Sequence, residues 1–203
     1  MEKKKSLIRE YIEAIAIAVL LAIVIRTFVI QAFKIPSGSM IPTLDIGDHI
    51  LVSKFIYGIR LPFTDIKILD FKKPNRGDII VFIYPEDEKK DFIKRVIGVP
   101  GDKIELKNKE VYINGEKLTE KYIVHQDPHT KPKEYEPRDN TGPIIVPPDS
   151  LFVMGDNRDQ SYDSRYWGFV KMNKVKGRAF IIYWSWDGKD TWVRWWRIAK
   201  IIR

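Results

Sequence analysis

The sequence contains no cysteine. Structural disulfides, thiolate metal sites and a cysteine nucleophile are therefore excluded, and cysteine usage says nothing about the compartment. Histidine is almost as scarce, at three residues in 203. His125 and His129 flank Asp127 in H-Q-D-P-H, but Pro128 works against a helical i,i+4 pair of metal ligands and no third ligand stands nearby, so the segment reads as a solvated loop. His49 follows Asp48 in a predicted strand, where a lone histidine reads as structural. A Ser-His-Asp triad would have to be assembled from these three, and nothing else supports one. There is no G-x-S-x-G elbow, no S-x-x-K, no H-E-x-x-H, no phosphate-binding glycine loop and no internal repeat. No metal and no other cofactor is called for.

A long uninterrupted apolar run is also lacking. Lys3, Lys4 and Lys5 precede an apolar stretch of 12 residues from Ala14 to Ile25, which resumes at Phe28 to Ile30 beyond Arg26 and Thr27. Crossing a bilayer takes about 20 residues, with a floor of about 17, so the stretch qualifies as an anchor over residues 11–31 with Arg26 snorkelling to the interface. The competing reading is a cleavable secretory signal, which requires small residues at a cut site. The exit reads F-V-I-Q-A-F-K, with Ile30 where a small side chain would stand before Ala32. An uncleaved anchor is expected, with residues 1–10 as a cytoplasmic tail and residues 32–203 outside. The net charge of +8 suits nucleic acid or an anionic lipid surface equally, and the anchor favours lipid.

Beyond Lys34 the periodicity becomes extended. Asp48–Tyr57, Asp78–Tyr84, Lys103–Leu106, Leu151–Met154 and Arg178–Trp184 are short β-branched and aromatic runs bounded by Gly, Pro, Asn and Asp, which predicts strands. Asn114-Gly115 between Val111-Tyr112-Ile113 and Glu116-Lys117-Leu118 predicts a two-residue hairpin. Residues 125–149 carry six of the 12 prolines without sustained periodicity and read as an exposed insertion. The expected fold is mainly β: one transmembrane helix, then an antiparallel β-sheet domain with residues about 103–150 as a smaller, less regular inserted lobe. The C-terminus, Trp184–Arg203, interleaves five of the six tryptophans with Lys and Arg, as either a closing strand or short helix, or a membrane-interface belt.

Three segments carry the chemistry. I-P-S-G-S-M-I-P-T-L (35–44) follows the anchor, with two prolines bracketing a serine-rich turn. F-I-K-R-V-I-G-V-P-G-D (92–102) sets a lysine in an apolar strand beside an arginine. G-D-N-R-D-Q-S-Y-D-S-R-Y-W-G (155–168) crowds ionisable and amide groups into one turn. Together with R-G-D-I-I-V-F (76–82) they resemble, in order and spacing over roughly residues 30–183, the boxes of bacterial type I signal peptidases. Gln160 stands where many relatives carry Asn and keeps the amide.

The resemblance implies a membrane-anchored endopeptidase that cuts signal peptides from preproteins after small residues at the first and third positions before the cut. It implies Ser39 as nucleophile, Lys94 as general base, the Ser37 hydroxyl with the Ser39 N–H as oxyanion hole, and Ser161 as the hydroxyl orienting the lysine. Arg95, Asp156, Arg158, Asp163 and Arg165 would be the salt-bridged support. Phe33, Ile35, Leu44 and Ile93 match positions lining the substrate pockets, and Met40 and Phe92 join them as apolar neighbours of the site. Partners would be preprotein signal peptides, the phospholipid membrane and the protein-export machinery, with no nucleic acid.

The residue types suit this chemistry. A serine hydroxyl needs a base to take its proton, and lysine serves only when neutral. From a reference pKa of about 10.4 it must be depressed by roughly two to three units, which burial among Phe92, Ile93, Val96 and Met40 would do. Arg95, next in the strand, is expected on the opposite face, paired by the acidic turn. Two rivals stay open: a self-cleaving serine-lysine protease, which would need an internal cut site, and a non-enzymatic, anchored basic module.

Overall fold

The computed structural model describes residues 7–60, 67–69, 71–188 and 192–203. Lys3, Lys4 and Lys5 of the expected cytoplasmic tail lie outside the described residues. The apolar run forms helix α1 (Leu7–Val24), continued by a π-helical turn, Ile25–Val29. Leu7–Val29, 23 residues with none buried, is long and apolar enough to cross a bilayer. The helix thus starts before residue 11 and stops before 31. Ile30 and Gln31 already belong to strand β1 (Ile30–Lys34), paired with Ser53 and Val52.

The remaining strands are β2 (Asp48–Ser53), β3 (Ile59–Arg60), β4 (Lys67–Leu69), β5 (Ile79–Ile83), β6 (Asp91–Gly98), β7 (Lys103–Lys107), β8 (Glu110–Ile113), β9 (Glu116–Lys117), β10 (Thr141–Ile145), β11 (Ser150–Met154), β12 (Val170–Lys171), β13 (Val175–Asp187) and β14 (Trp192–Val193). The main sheet runs β1-β2-β13-β5-β6-β11-β12, with β14 on β13, and its ladders are antiparallel. A second sheet, β10-β7-β8-β9, forms the smaller lobe, and β3 pairs β4. The β8–β9 turn is as expected: Asn114 and Gly115 both have positive φ, 56° and 90°, as a mirror-image hairpin turn requires.

Burial follows sequence pattern. The alternating D-H-I-L-V-S of β2 alternates buried and half-buried, whereas I-I-V-F of β5, central in the sheet, is buried throughout. One core cluster gathers Ile35, Met40 and Leu44, from the segment that carries Ser39, with Ile50, Val52 and Ile79. A second, containing Ile80, Phe82, Val96 and Val153, lies on the other face, and a third fills the lobe around Ile104 and Val111.

Three expectations need correction. The strand expected over 48–57 ends at Ser53, because Phe55–Tyr57 turns as a 3-10 helix. The strand expected over 178–184 is longer, Val175–Asp187, since it pairs with β5 at one end and β2 at the other. Residues 125–149 are not merely an exposed insertion: they supply β10 and a buried pair in which Arg138 holds Asp139 bidentately (2.9 and 2.7 Å). Short β10, carrying Gly142 and Pro143, has no alternation for a periodicity to show.

Candidate active site

The turn after β1 is a single 3-10 turn, Gly38–Met40, and it carries Ser39. Strand β6 carries Lys94 at a position paired with Ile80, which directs its side chain to the face shared with Phe92. Lys94 Nζ lies 2.7 Å from Ser39 Oγ and 3.1 Å from the Ile93 carbonyl oxygen, with the Phe92 ring centroid at 5.5 Å. The lysine side is dry, with only 4% of Lys94 exposed. Burial lowers its pKa from 10.5 to about 8, against the opposing pull of the Asp163 charge. At pH 7 about a tenth of such amines are neutral, against well under one per cent of free lysines. The pair can therefore deprotonate a serine at neutral pH without a histidine.

Arg95 sits on the opposite face, where Asp156 grips it bidentately (2.8 and 2.7 Å) with both side chains buried. The Tyr122 ring stacks at 3.8 Å from the Arg95 guanidinium carbon, and Thr43 donates its hydroxyl to Asp156 at 2.5 Å. Asp163 caps helix α2 (Ser164–Trp167), receives Arg165 at 2.8 Å twice and accepts the Gly155 N–H at 3.0 Å. Arg165 also donates to the carbonyls of Arg138 and Arg158, both at 2.7 Å. Arg158 pairs with Glu120 of the lobe through both terminal nitrogens. The lobe thus braces the turn that backs the serine.

Several expected residues converge and others stand apart. Ser39, Lys94, Arg95, Asp156, Arg158, Asp163 and Arg165 form one connected assembly. Ser37 is exposed beside it in extended backbone, φ −132°. Ser161 is buried, but its hydroxyl makes no hydrogen bond to Lys94, whose partners are Ser39 and Ile93. Of the six pocket residues, Ile35, Met40 and Leu44 are buried in the first core cluster, with Phe33 and Ile93 half-buried against it. Phe92 is the exception: it belongs to the second cluster, stacked on Tyr84 at 4.2 Å, because adjacent strand residues point to opposite faces. It walls the lysine and does not face the same pocket as Ile93.

Sequence reasoning missed Thr43, Gly155 and Asn157, although each lies inside a recognised segment. Asn157 donates its N–H to the Ser39 carbonyl and its side-chain Nδ2 to the Gly38 carbonyl, both at 3.1 Å. Glu120 and Tyr122 were beyond sequence inference, since they come from an irregular stretch of the lobe. Among the described residues no group of three His, Asp and Glu side chains is arranged to hold a metal ion.

Known proteins are similar to this chain in sequence over most of its length. Signal peptidase I of Pseudomonas fluorescens is 40% identical, covering 90% of this chain and 75% of its own length. A probable signal peptidase I-2 of Synechocystis is 45% identical over 82% of this chain and 69% of its own. A solved signal peptidase I from Enterococcus faecalis is 38% identical, with a TM-score of 0.43, and covers 53% of this chain and 97% of its own. The family described as signal peptidase, peptidase S26, matches residues 8–184. With that match spanning both members of the serine–lysine pair, the turn behind them and the apolar helix before them, the chain belongs to the signal peptidase family, peptidase S26.

Proposed function

We propose that this chain is a membrane-anchored serine endopeptidase that removes signal peptides from secreted preproteins, with Ser39 as nucleophile and Lys94 as general base. The observation that carries this reading is the 2.7 Å contact between Lys94 Nζ and Ser39 Oγ in a dry site. In the first step Ser39 Oγ bonds to the scissile carbonyl carbon while neutral Lys94 takes the hydroxyl proton. The developing oxyanion is met by the Ser39 N–H and the Ser37 hydroxyl. Collapse breaks the C–N bond, and the lysine ammonium gives its proton to the leaving amine. Water, deprotonated by the same lysine, then attacks the ester carbonyl, and the lysine gives that proton to Ser39 Oγ as the acyl–oxygen bond breaks.

An extended substrate laid along the strand edge places alternate side chains on one face. The first and third residues before the cut would enter the apolar face formed by Phe33, Ile35 and Ile93, whose bulk admits only small side chains. Residues 1–10 form the cytoplasmic tail and residues 32–203 the extracytoplasmic domain, with residues 103–150 as its lobe. The membrane is the surface on which enzyme and substrate meet, and the protein-export machinery is the neighbour that delivers the preprotein.

The test is cleavage of a preprotein by the full chain in detergent, with the cut located by mass spectrometry of the product. Wild type is expected to cut after a small residue, and both Ser39→Ala and Lys94→Ala to be inactive. Cleavage that survives Ser39→Ala sinks the proposal, as does a wild-type protein that binds the preprotein but never cuts it.

A further inference from the structure

We infer that Asn157 is a positioning residue that sets the oxyanion hole by pinning the Gly38–Ser39 peptide plane. In a trans peptide the C=O and N–H point in opposite directions, so fixing one aims the other. The Gly38 carbonyl is held by Asn157 Nδ2 at 3.1 Å and by the Ile41 N–H at 3.2 Å. The other end of that peptide unit, the Ser39 N–H, takes no acceptor among the described residues and points away from Asn157. The Ser39 carbonyl accepts the Asn157 backbone N–H at 3.1 Å. One residue therefore grips the peptide units on both sides of the nucleophile's α-carbon.

Asn157 is itself immobilised. It is fully buried, and its neighbours are tied into the lobe: the Val124 N–H donates to the Asp156 carbonyl at 3.0 Å, and the Arg158 N–H to the Val124 carbonyl at 3.1 Å. Asp156 is locked by Arg95. The Asn157 Oδ1 has no partner among the described residues, so the amide's contribution lies on its nitrogen side. The Ile41 N–H remains on the Gly38 carbonyl when the amide is gone, so the turn should persist while the aim of the Ser39 N–H loosens. An oxyanion donor acts only when preorganised toward the charge that develops, which makes this a transition-state effect.

The inference rests on the proposed serine–lysine mechanism, and the experiment separates the two. Wild type, Asn157→Leu and Asn157→Asp, as full chains in detergent, are assayed on one preprotein at a pH above the lysine midpoint. Both variants are expected to lose about tenfold to a hundredfold in kcat, with KM within about twofold and the midpoint of the Asn157→Leu pH–rate profile unmoved. A signal-peptide boronate, whose tetrahedral adduct places an oxygen in the hole, should lose affinity in step with kcat. An uncleaved peptide bound in the Ser39→Ala background should not. If wild type fails to cleave, the mechanism itself falls. If wild type cleaves but either folded variant keeps kcat within about twofold, or boronate affinity stays level while kcat drops, the role given to Asn157 is wrong. Loss of the wild-type melting transition in both variants would make Asn157 a structural residue and overturn the inference equally.

Discussion

Gly155 lies so close to Ser39 that a β-carbon on it would overlap both the Ser39 carbonyl oxygen and the Ser161 hydroxyl. The glycine directly follows strand β11, and the serine sits in the turn after β1, so two distant segments meet with no room for a methyl group. Neither neighbour yields cheaply, one being backbone and the other a buried side chain. Gly155→Ala should shift Ser39, lowering kcat at least about tenfold and stability by about 1–3 kcal/mol. Steady-state kinetics with a thermal melt checks this. A variant with wild-type kcat would mean that the turn and the strand end slide apart freely.

Lys94 gives two pH signatures that run in the same direction. With its pKa lowered by burial to about 8, the rate should rise with pH and level off above that midpoint. Stability moves the same way. Between about 8 and the ordinary value of 10.5 the unfolded chain holds the proton and the folded chain does not, so raising the pH through this window favours folding. Below it, the fold carries the cost of a buried charge. Lys94→Met should therefore be inactive yet more stable at pH 7, by about 3 kcal/mol, with the gain shrinking toward pH 10.5. Denaturant melts at several pH values measure it, and a Met variant less stable than wild type at pH 7 counts against a dry amine.

Much of this site could be read from the chain because it sits in contiguous segments whose residue types announce their chemistry. Lys94 beside Arg95 in an apolar strand fixed opposite faces by alternation alone, and Asp156 takes the arginine as the acidic turn suggested. Asn114-Gly115 gave its hairpin for an equally local reason. What stayed hidden was set by tertiary contact. Asn157 looks like any amide in a polar turn until the Gly38 carbonyl is placed against it. Phe92 and Ile93 both looked like pocket residues, although the alternation that parts Lys94 from Arg95 also sends these two to opposite core clusters. Arg138 and Asp139 sat in a proline-rich stretch that reads as exposed, yet both are buried and paired with each other, and the Arg138 carbonyl accepts from Arg165.

Asp163 is fully buried and burial alone would raise its pKa, but the Arg165 guanidinium holds it below the usual carboxylate range. Its contribution to stability is therefore present above the unfolded value near 3.8 and lost as pH falls through the lower folded value. Asp163→Asn keeps the shape and strands Arg165 as an unpaired buried charge. A loss of about 3–5 kcal/mol is expected at neutral pH. The Asp163 charge also pulls the Lys94 pKa upward, so its removal should move the midpoint of the pH–rate profile below 8. A midpoint that stays put or rises would mean that the carboxylate and the amine do not feel each other.

The tryptophans near the C-terminus face outward: Trp192, Trp195 and Trp196 are 64%, 61% and 74% exposed. The Arg194 guanidinium donates to the Ile46 carbonyl at 2.6 Å, and exposed Ile46 neighbours the Gly38–Met40 turn. The segment that carries these rings therefore meets the rim of the turn that holds Ser39, where a lipid interface would receive them. In vesicles of brominated phosphatidylcholine, which quenches tryptophan on contact, the full-length wild type should lose a large share of its emission. A Trp192→Phe, Trp195→Phe, Trp196→Phe triple variant should lose much less, because of the three tryptophans it keeps Trp167 and Trp184 are half-buried within the fold and only Trp186, 42% exposed, stays at the surface. If the rim positions the site at the membrane, the triple variant should also cut a preprotein more slowly in vesicles while matching wild type in detergent. Equal quenching in both proteins would place the rim in water and leave α1 as the only described segment suited to reach the bilayer.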